Sequence, residues 1–176
     1  MLIKRALNDM SISIAPIAGS EADYLLELSD EYMGALYPAE SNHLVSSESL
    51  RGPDALFLGA FETAHAGEAG SSKKRCVACV AAKFYDQQGY AEIKRLFVHP
   101  DQRGQKLGRR LMEAIEAGIR LRGLAFARLE MGIYQPEATA LYQSLGYYEI
   151  EPFGSYLLDP LSQFMEKPFL SAALSG

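Results

Sequence analysis

The stretch that decides the fold is residues 91–110, AEIKRLFVHPDQRGQKLGRR. Its first half completes an apolar run, Tyr90 to Val98, that predicts a strand ended by the residues His99-Pro100-Asp101. Its second half predicts a helix from about Gly104 to Arg122, because apolar residues recur at positions 107, 111, 115 and 119. A strand that leads through a glycine-containing turn into a long helix leaves free backbone N–H groups at the helix start.

These N–H groups predict an anion-binding site, because they carry a partial positive charge and bind phosphates. Gly104 and Gly108 lack a Cβ and permit close approach, and nearby charge comes from Arg103, Lys106, Arg109 and Arg110. The segment has neither the GK[ST] ending of a P-loop nor the G-x-G-x-x-G dinucleotide fingerprint. Spacing alone leaves an alternative, a solvated basic helix start that contains two glycines.

The overall charge argues against a nucleic acid as partner. The 176 residues carry 17 Lys plus Arg and 22 Asp plus Glu, for a formal net charge of −5. Proteins that bind nucleic acid through a global field are basic. Six of the 17 basic residues are nevertheless concentrated in one segment: Lys94, Arg95, Arg103, Lys106, Arg109 and Arg110. We therefore expect a local site for a small, phosphate-rich ligand.

Length and composition predict one domain over residues 1–176. Polar residues interrupt the N-terminal apolar run, and no stretch approaches the ~20 apolar residues that cross a bilayer, so we expect a cytoplasmic protein with no membrane partner. Cys76 and Cys79 form a C-x-x-C inside a predicted strand. Because no second pair of ligands lies at useful spacing, we expect reduced structural thiols on opposite faces of the strand and no metal site.

The remaining patterns predict a mixed α/β domain whose sheet is mostly antiparallel. Strands are expected at residues 11–17, 55–61, 76–85, 90–98, 124–132, 147–151 and 163–167. Helices are expected at about 20–37, near 46–50, at 104–122 and from Pro136 to Gly146. Residues 62–74, ETAHAGEAGSSKK, are polar and glycine-rich and predict a flexible hairpin loop.

Two linked motifs resemble those of the GCN5-related N-acetyltransferases, the GNAT family. RGQKLG at residues 103–108 resembles the family's acetyl-coenzyme A motif [QR]-x-x-G-x-[GA], and QPEATALYQSLGYYEI at 135–150 is similar to its later Asn-x-x-Ala…Leu-Tyr-x-x-x-Gly-[FY] segment. The element order also resembles that fold, a three-layer α/β/α arrangement. Two positions depart from the pattern: Lys106 replaces the middle glycine and Gln135 replaces the usual Asn. Lysine fits if residue 106 has helical backbone angles, whereas a turn that requires positive φ would disfavour it.

The resemblance implies that acetyl-coenzyme A is the co-substrate and assigns the residues that hold it. Backbone N–H groups of the turn would bind the pyrophosphate. The preceding strand end would pair with the pantetheine amides, and one of its N–H groups would polarise the thioester carbonyl. The implied cofactor-binding residues are Leu96, Phe97, Val98, Arg103, Gly104, Gln105, Lys106, Leu107, Gly108, Arg109 and Gln135.

The resemblance also implies a catalytic base and a catalytic acid. Glu92 matches the position of the family's frequent glutamate base, and a carboxylate within an apolar sheet favours a functional reason. The alternative is an ion pair with Lys94 on the same face, with Glu130 as the second candidate base. Tyr142 aligns with the helix tyrosine that protonates the departing thiolate, and its alternative role is core packing. Neither cysteine is placed as a nucleophile, so we expect direct attack in a ternary complex.

The acceptor is the least constrained part of the interpretation. In the family it resembles, the first helices and the hairpin loops shape the acceptor pocket, which implies Tyr32, Tyr37 and His43 as substrate-binding residues. Their polar and aromatic character suits a small amine, an amino acid or a peptide. A homodimer through the C-terminal strands is a common arrangement in that family. Because two motif positions depart from the pattern, an idle acyl-coenzyme A-binding sensor or interaction module is the alternative function.

Overall fold

A computed structural model describes residues 10–64 and 73–169, and within these ranges the chain forms seven strands and three α-helices. The strands are β1 (Met10–Pro16), β2 (Ala55–Ala64), β3 (Lys73–Tyr85), β4 (Tyr90–Val98), β5 (Phe126–Gly132), β6 (Tyr148–Ile150) and β7 (Ser162–Pro168). The helices are α1 (Asp23–Leu36), α2 (Leu107–Leu121) and α3 (Pro136–Ser144). Short 3-10 turns lie at Ala39–Ser41, Glu48–Leu50 and Pro100–Gln102.

The seven strands form one sheet in the order β1-β2-β3-β4-β5-β7-β6. Every neighbouring pair is antiparallel except β4 and β5, which run parallel because α2 connects them. The expected mixed, mostly antiparallel sheet is therefore confirmed.

Helices cover both faces of this sheet and complete the expected three layers. On one face, α2 buries a stripe of apolar side chains against β2, β3 and β4, and α3 packs beside it. Met112, Ile115 and Ile119 of that stripe are fully buried, and each contributes roughly 1.5–3 kcal/mol by leaving water. On the other face, Leu25 and Leu26 of α1 pack against β2, β3 and β4.

Helix α2 begins at Leu107, three residues later than the expected start at Gly104. The reason is local: Gly104 has φ +82° and Lys106 has φ +59°, and neither conformation belongs to a right-handed helix. The turn thus requires positive φ at the position where the sequence offers a lysine. Holding a side chain there costs about 1 kcal/mol relative to glycine.

Strands β2 and β3 extend further than their apolar cores suggest. They remain paired out to Ala64 and Lys73, so both ends of the expected 62–74 loop belong to strands. Glu62 and Thr63 are adjacent polar residues, so the apolar pattern that predicts β2 stops before them, although the strand continues. Residues 65–72 of the expected loop lie outside the described residues.

The two cysteines face the same layer, which corrects the expectation that they point to opposite faces. Both pack in the cluster beneath α1, whereas Val77 and Ala78 between them belong to the opposite cluster. A β-bulge causes this, because Ala60 pairs with Ala78 and Phe61 with Cys76, which leaves Val77 unpaired in the register. Burial raises the pKa of Cys76 to about 11 and that of Cys79 to about 12, so both stay thiols near neutral pH.

The sheet contains a gap where β4 and β5 separate. Their pairing covers Tyr90–Ile93 and Phe126–Leu129 and ends there. Just beyond, Arg95 has φ +59°, and the β3 register shifts so that Val80 alone opposes Arg95 and Leu96. Such a bulge bends a strand. The ends of β4 and β5 therefore leave backbone and side chains free to line a cleft.

Candidate active site

A pocket of about 680 Å³ lies between the end of β4, the start of α2, α3 and one face of α1. We call it the α2 pocket. All the expected cofactor-binding residues except Gln105 line it: Leu96, Phe97, Val98, Arg103, Gly104, Lys106, Leu107, Gly108, Arg109 and Gln135. Gln105 instead supports the turn from outside, because its Nε2 donates to Oε1 of Gln102 at 2.6 Å, and Gln102 does line the pocket.

The start of α2 supplies unpaired donors to this pocket. The side chain of the N-cap residue Lys106 makes no capping hydrogen bond. The N–H groups of Leu107, Gly108 and Arg109 have no acceptor within the helix. Gly108 is also restricted in space, because a Cβ there would lie 3.3 Å from Cδ2 of Leu141. A narrow wall with free N–H groups is the arrangement that an extended phosphate ester requires.

The basic residues divide among three environments. Arg103, Lys106 and Arg109 line the α2 pocket, and the Arg103 guanidinium lies 5.9 Å from the Tyr32 ring centre. Arg110 instead donates to the Ile12 carbonyl at 3.1 Å and ties α2 to β1. The remaining two, Lys94 and Arg95, lie in the adjacent gap. Only three of the six clustered basic residues therefore line the α2 pocket.

A smaller pocket of about 130 Å³ occupies the gap between β4 and β5, and we call it the gap pocket. It shares Leu96 and Gln135 with the α2 pocket, so the two adjoin. Its ionisable or phenolic lining residues are Tyr37, His43, Lys94, Arg95, Glu130 and Tyr142. The expected acceptor residues Tyr37 and His43 thus lie here, whereas Tyr32 lies in the α2 pocket.

Tyr142 is buried at the wall of the gap pocket, with its ring 5.7 Å from that of Tyr147. Burial raises its pKa, so the phenol stays protonated near neutral pH. Among the residues that the structure describes, no hydrogen bond occupies its hydroxyl. A protonated, uncommitted hydroxyl beside the cleft can donate a proton to a reacting atom.

Glu92 does not line the gap pocket, and both of its carboxylate oxygens have partners. Its Oε1 accepts from Lys94 Nζ at 2.9 Å and from the Tyr156 hydroxyl at 2.5 Å, and its Oε2 lies 3.4 Å from the Tyr85 hydroxyl. The ion pair with Lys94 that the sequence left open is present. Lys94 also donates to the Tyr156 hydroxyl at 2.6 Å, so the three side chains form a closed network.

Glu130 lies within the gap pocket itself. One of its oxygens, Oε1, accepts from the Ser162 hydroxyl at 2.8 Å. Burial raises the pKa of its carboxyl, and the hydrogen bond from Ser162 and the nearby charge of Lys94 partly offset that rise. A carboxylate of raised pKa in a cleft is suited to accept a proton.

A third pocket, of about 850 Å³, adjoins the gap pocket at His43, Leu44 and Lys94. We call it the aromatic pocket, because four aromatic side chains line it: Tyr85, Tyr90, Phe153 and Tyr156. The sequence gives no sign that these four rings share one pocket. Tyr85 and Tyr90 are paired at the β3–β4 turn, whereas Phe153 and Tyr156 come from the segment between β6 and β7.

Within the described part of the chain, no helix is long and apolar enough to cross a membrane. Residues 10–64 and 73–169 also contain no group of three or more His, Cys, Asp or Glu side chains arranged to hold a metal ion.

The site combines a mixed sheet, a gap between its two parallel strands and an open helix start. Comparison with known proteins identifies the class that has this arrangement. The acetyltransferase (GNAT) domain model matches residues 62–149. A protein named IAA acetyltransferase from Azospirillum brasilense is 45% identical over 144 residues, which cover 82% of this chain and 88% of that protein. The uncharacterized N-acetyltransferase YsnE from Bacillus subtilis is 30% identical over 161 residues, 90% of this chain and 99% of that protein. The chain belongs to the GNAT acetyltransferase family and is an acyltransferase.

Solved structures agree with this assignment. One from Klebsiella pneumoniae, described as an acyl-CoA N-acyltransferase, has a TM-score of 0.70 and 31% identity, and covers 90% of this chain and 98% of its own. The PaiA N-acetyltransferase from Thermoplasma acidophilum, solved in complex with coenzyme A, has a TM-score of 0.66 and covers 90% of this chain and 99% of its own. At 20% identity, the second shows the shared fold.

Proposed function

We propose that this acyltransferase transfers the acetyl group of acetyl-coenzyme A to a primary amine of a small molecule, an amino acid or a peptide, by direct attack in a ternary complex. One observation carries the proposal. The α2 pocket, with its free N–H groups, adjoins a gap that holds both a carboxylate and a protonated phenol. The name of the Azospirillum brasilense relative, IAA acetyltransferase, favours a small-molecule acceptor.

The residues of the α2 pocket fit the cofactor. When bound, acetyl-coenzyme A supplies an activated acetyl thioester on a long arm that ends in a pyrophosphate. Three N–H groups at the start of α2 and the side chains of Arg103, Lys106 and Arg109 are suited to the anionic end. Leu96 and Val98, at the end of β4, lie where the strand has lost β5 as a partner and can offer backbone groups to an extended chain.

Two carboxylates can act as the base, and the geometry favours Glu130. The amine that attacks a thioester must be neutral, so a nearby group has to accept its proton. Glu130 lies in the gap pocket with one oxygen bound only by Ser162. Glu92 lines the aromatic pocket and accepts from Lys94 and Tyr156, so it serves better to hold Lys94 beside the cleft. Glu92 as base is the alternative that mutation has to decide.

Tyr142 is the proposed acid. Collapse of the tetrahedral intermediate expels a thiolate, which a positioned hydroxyl can protonate. The raised pKa of Tyr142 ensures that the proton is present near neutral pH. Its place in the wall of the gap pocket puts it on the same cleft as Glu130.

The experiment that tests the proposal measures thiol release from acetyl-coenzyme A with a panel of primary amines. We expect turnover that depends on the amine and an N-acetylated product of matching mass. Thermal stabilisation by acetyl-coenzyme A without turnover for any amine would instead establish the idle sensor, since binding alone raises stability.

A further inference from the structure

We propose that the aromatic pocket binds the body of the acceptor, and that this acceptor is a primary amine attached through a short linker to an aromatic ring. The inference rests on the proposed function and adds to it the chemical class of the acceptor. The family assignment specifies neither this pocket nor the class of the acceptor.

The first step is continuity. The gap pocket, at about 130 Å³, is too small for more than the reacting end of an acceptor. It adjoins the aromatic pocket, of about 850 Å³, where His43, Leu44 and Lys94 line both. An amine that reaches Glu130 in the gap therefore has the rest of its structure in the larger space.

The second step is the lining of that space. The four rings follow one another without interruption. Tyr85 stacks on Tyr90 at 4.9 Å between ring centres, Tyr90 meets Phe153 edge-on at 5.7 Å, and Phe153 meets Tyr156 edge-on at 5.3 Å. Tyr90 and Phe153 are buried, so the accessible ring surface comes from Tyr85 and Tyr156, which are partly exposed. Another aromatic ring packs on a ring face or a ring edge at comparable distances. A purely aliphatic acceptor would fill the same volume but would make no ring-to-ring contacts.

The third step is the polarity of the inner end. The Glu92–Lys94–Tyr156 network lies where the two pockets meet, with Lys94 lining both. His43 packs edge-on against Tyr156 at 5.0 Å on the same side. Polar groups thus lie at the junction, and the rings, together with Lys83 and Gln88, line the space behind them. An acceptor that is polar at one end and aromatic at the other matches this order.

The fourth step is an unexplained pair of exposed side chains. Leu157 and Leu158 both line the aromatic pocket and are 84% and 83% exposed. They lie in the segment between β6 and β7, next to Tyr156. Apolar side chains at a pocket rim gain stability when a ligand covers them. We infer that both leucines close over the ring of the acceptor.

The test compares three amines in the thiol-release assay: 2-phenylethylamine, 2-cyclohexylethylamine and ethylamine. We expect kcat/KM for 2-phenylethylamine to exceed that for ethylamine by roughly tenfold or more, in line with the gain from filling an apolar pocket. We expect the saturated ring to fall between the two. Equal values for 2-phenylethylamine and ethylamine would overturn the proposal, and equal values for the two rings would overturn its aromatic part.

A double variant, Leu157→Ala with Leu158→Ala, tests the rim. We expect its KM for 2-phenylethylamine to rise by roughly threefold to tenfold, with KM for ethylamine and for acetyl-coenzyme A unchanged. Leu121→Ala is the matched control, because Leu121 is 90% exposed and lines none of the three pockets. An equal rise for all three substrates, or an equal effect of Leu121→Ala, contradicts a rim role.

Failure of the proposed function can be distinguished from failure of this inference. If no amine is acetylated, the proposed function is wrong, and calorimetric titration of 2-phenylethylamine then tests the pocket directly. Binding by the wild-type chain that the double leucine variant weakens supports the site. An absence of heat in the wild-type chain overturns it.

Discussion

The ring of Tyr37 lies across the backbone of Gly132, so closely that a Cβ at position 132 would lie 2.0 Å from Tyr37 Cζ. The Tyr37 hydroxyl also accepts from the backbone N–H of Tyr134 at 2.9 Å, and the two tyrosine rings stack at 5.5 Å. The end of β5 is therefore fixed against the segment that follows α1. Both residues line the gap pocket, so this contact sets the width of the proposed reaction cleft.

We expect Gly132→Ala to displace Tyr37 and lower the free energy of unfolding by about 1–3 kcal/mol, the usual result of overpacking a tight site. Turnover should fall with it, because Tyr37 borders the cleft. Urea unfolding and thiol-release kinetics measure the two effects. Gly34→Ala in α1 is the control, since a Cβ there meets nothing within 4 Å and should stabilise the helix by roughly 0.5–1 kcal/mol.

The backbone of Lys106 gives a second prediction. Because residue 106 has φ +59°, Lys106→Gly should be about 1 kcal/mol more stable than Lys106→Ala. Both variants lose the same charge, so both should bind coenzyme A more weakly than the wild-type chain and with a smaller dependence on salt. Denaturant unfolding and calorimetric titration separate the backbone effect from the charge effect. Equal stability of the two variants would argue against the left-handed conformation.

Neutralising the two candidate bases should change the stability of the fold in opposite directions. The folded pKa of Glu130 is raised above its unfolded value, so its contribution to stability is largest at low pH and is lost as pH rises through the folded pKa. Glu130→Gln should remove this pH-dependent loss of stability. The free energy of unfolding of the variant, relative to that of the wild-type chain, should therefore be greater at pH 8 than at pH 4.5. Unfolding in urea at the two pH values measures it.

Glu92→Gln should instead destabilise the fold by about 3 kcal/mol, because Lys94, with a side chain 11% exposed, would keep its charge without a carboxylate partner. A matching loss of turnover at saturating substrates, with the pH profile unchanged, fits a positioning role for Glu92. Loss of the acid limb of the pH–rate profile in Glu92→Gln but not in Glu130→Gln would make Glu92 the base.

Removal of the Tyr142 hydroxyl should affect the rate and leave the fold intact. We expect Tyr142→Phe to lower kcat by roughly 100-fold, the lower range for loss of a general acid, with little change in KM for acetyl-coenzyme A. Tyr147→Phe is the control, because the neighbouring Tyr147 hydroxyl is also buried and has no hydrogen-bond partner among the described residues. That variant should keep full turnover. If both variants behave alike, the acid assignment for Tyr142 is wrong.

The sequence predicted the approximate positions of the seven strands and the turn before α2 because both depend on local patterns. The apolar spacing of α2 and the glycines around Arg103 suffice to place a helix start next to a strand end. The conformation of Lys106 was not predictable, because a lysine itself favours negative φ and only the closure of the turn imposes the opposite. The bulge at Arg95 was hidden for a similar reason, since its sequence is that of an ordinary strand.

The division of roles between Glu92 and Glu130 also lay beyond the sequence. Both lie within predicted strands, and the spacing indicates the pairing of Glu92 with Lys94. It does not indicate that Ser162 binds Glu130 or that Tyr156 binds Glu92. Ser162 lies 32 positions from Glu130 in the chain, and Tyr156 lies 64 positions from Glu92. Long-range register, rather than local pattern, decides which carboxylate stays available.

The short pairing of β4 with β5 has a mechanical consequence. Within the described residues, β4 is paired with β5 only from Tyr90 to Ile93, so a brief seam joins the first four strands of the sheet to the last three. A molecule that lends backbone-like amides to the open end of β4 would lengthen this seam. Substrate binding would then strengthen the weakest line of the fold, and amide exchange along β4 and β5 should slow before any chemistry occurs.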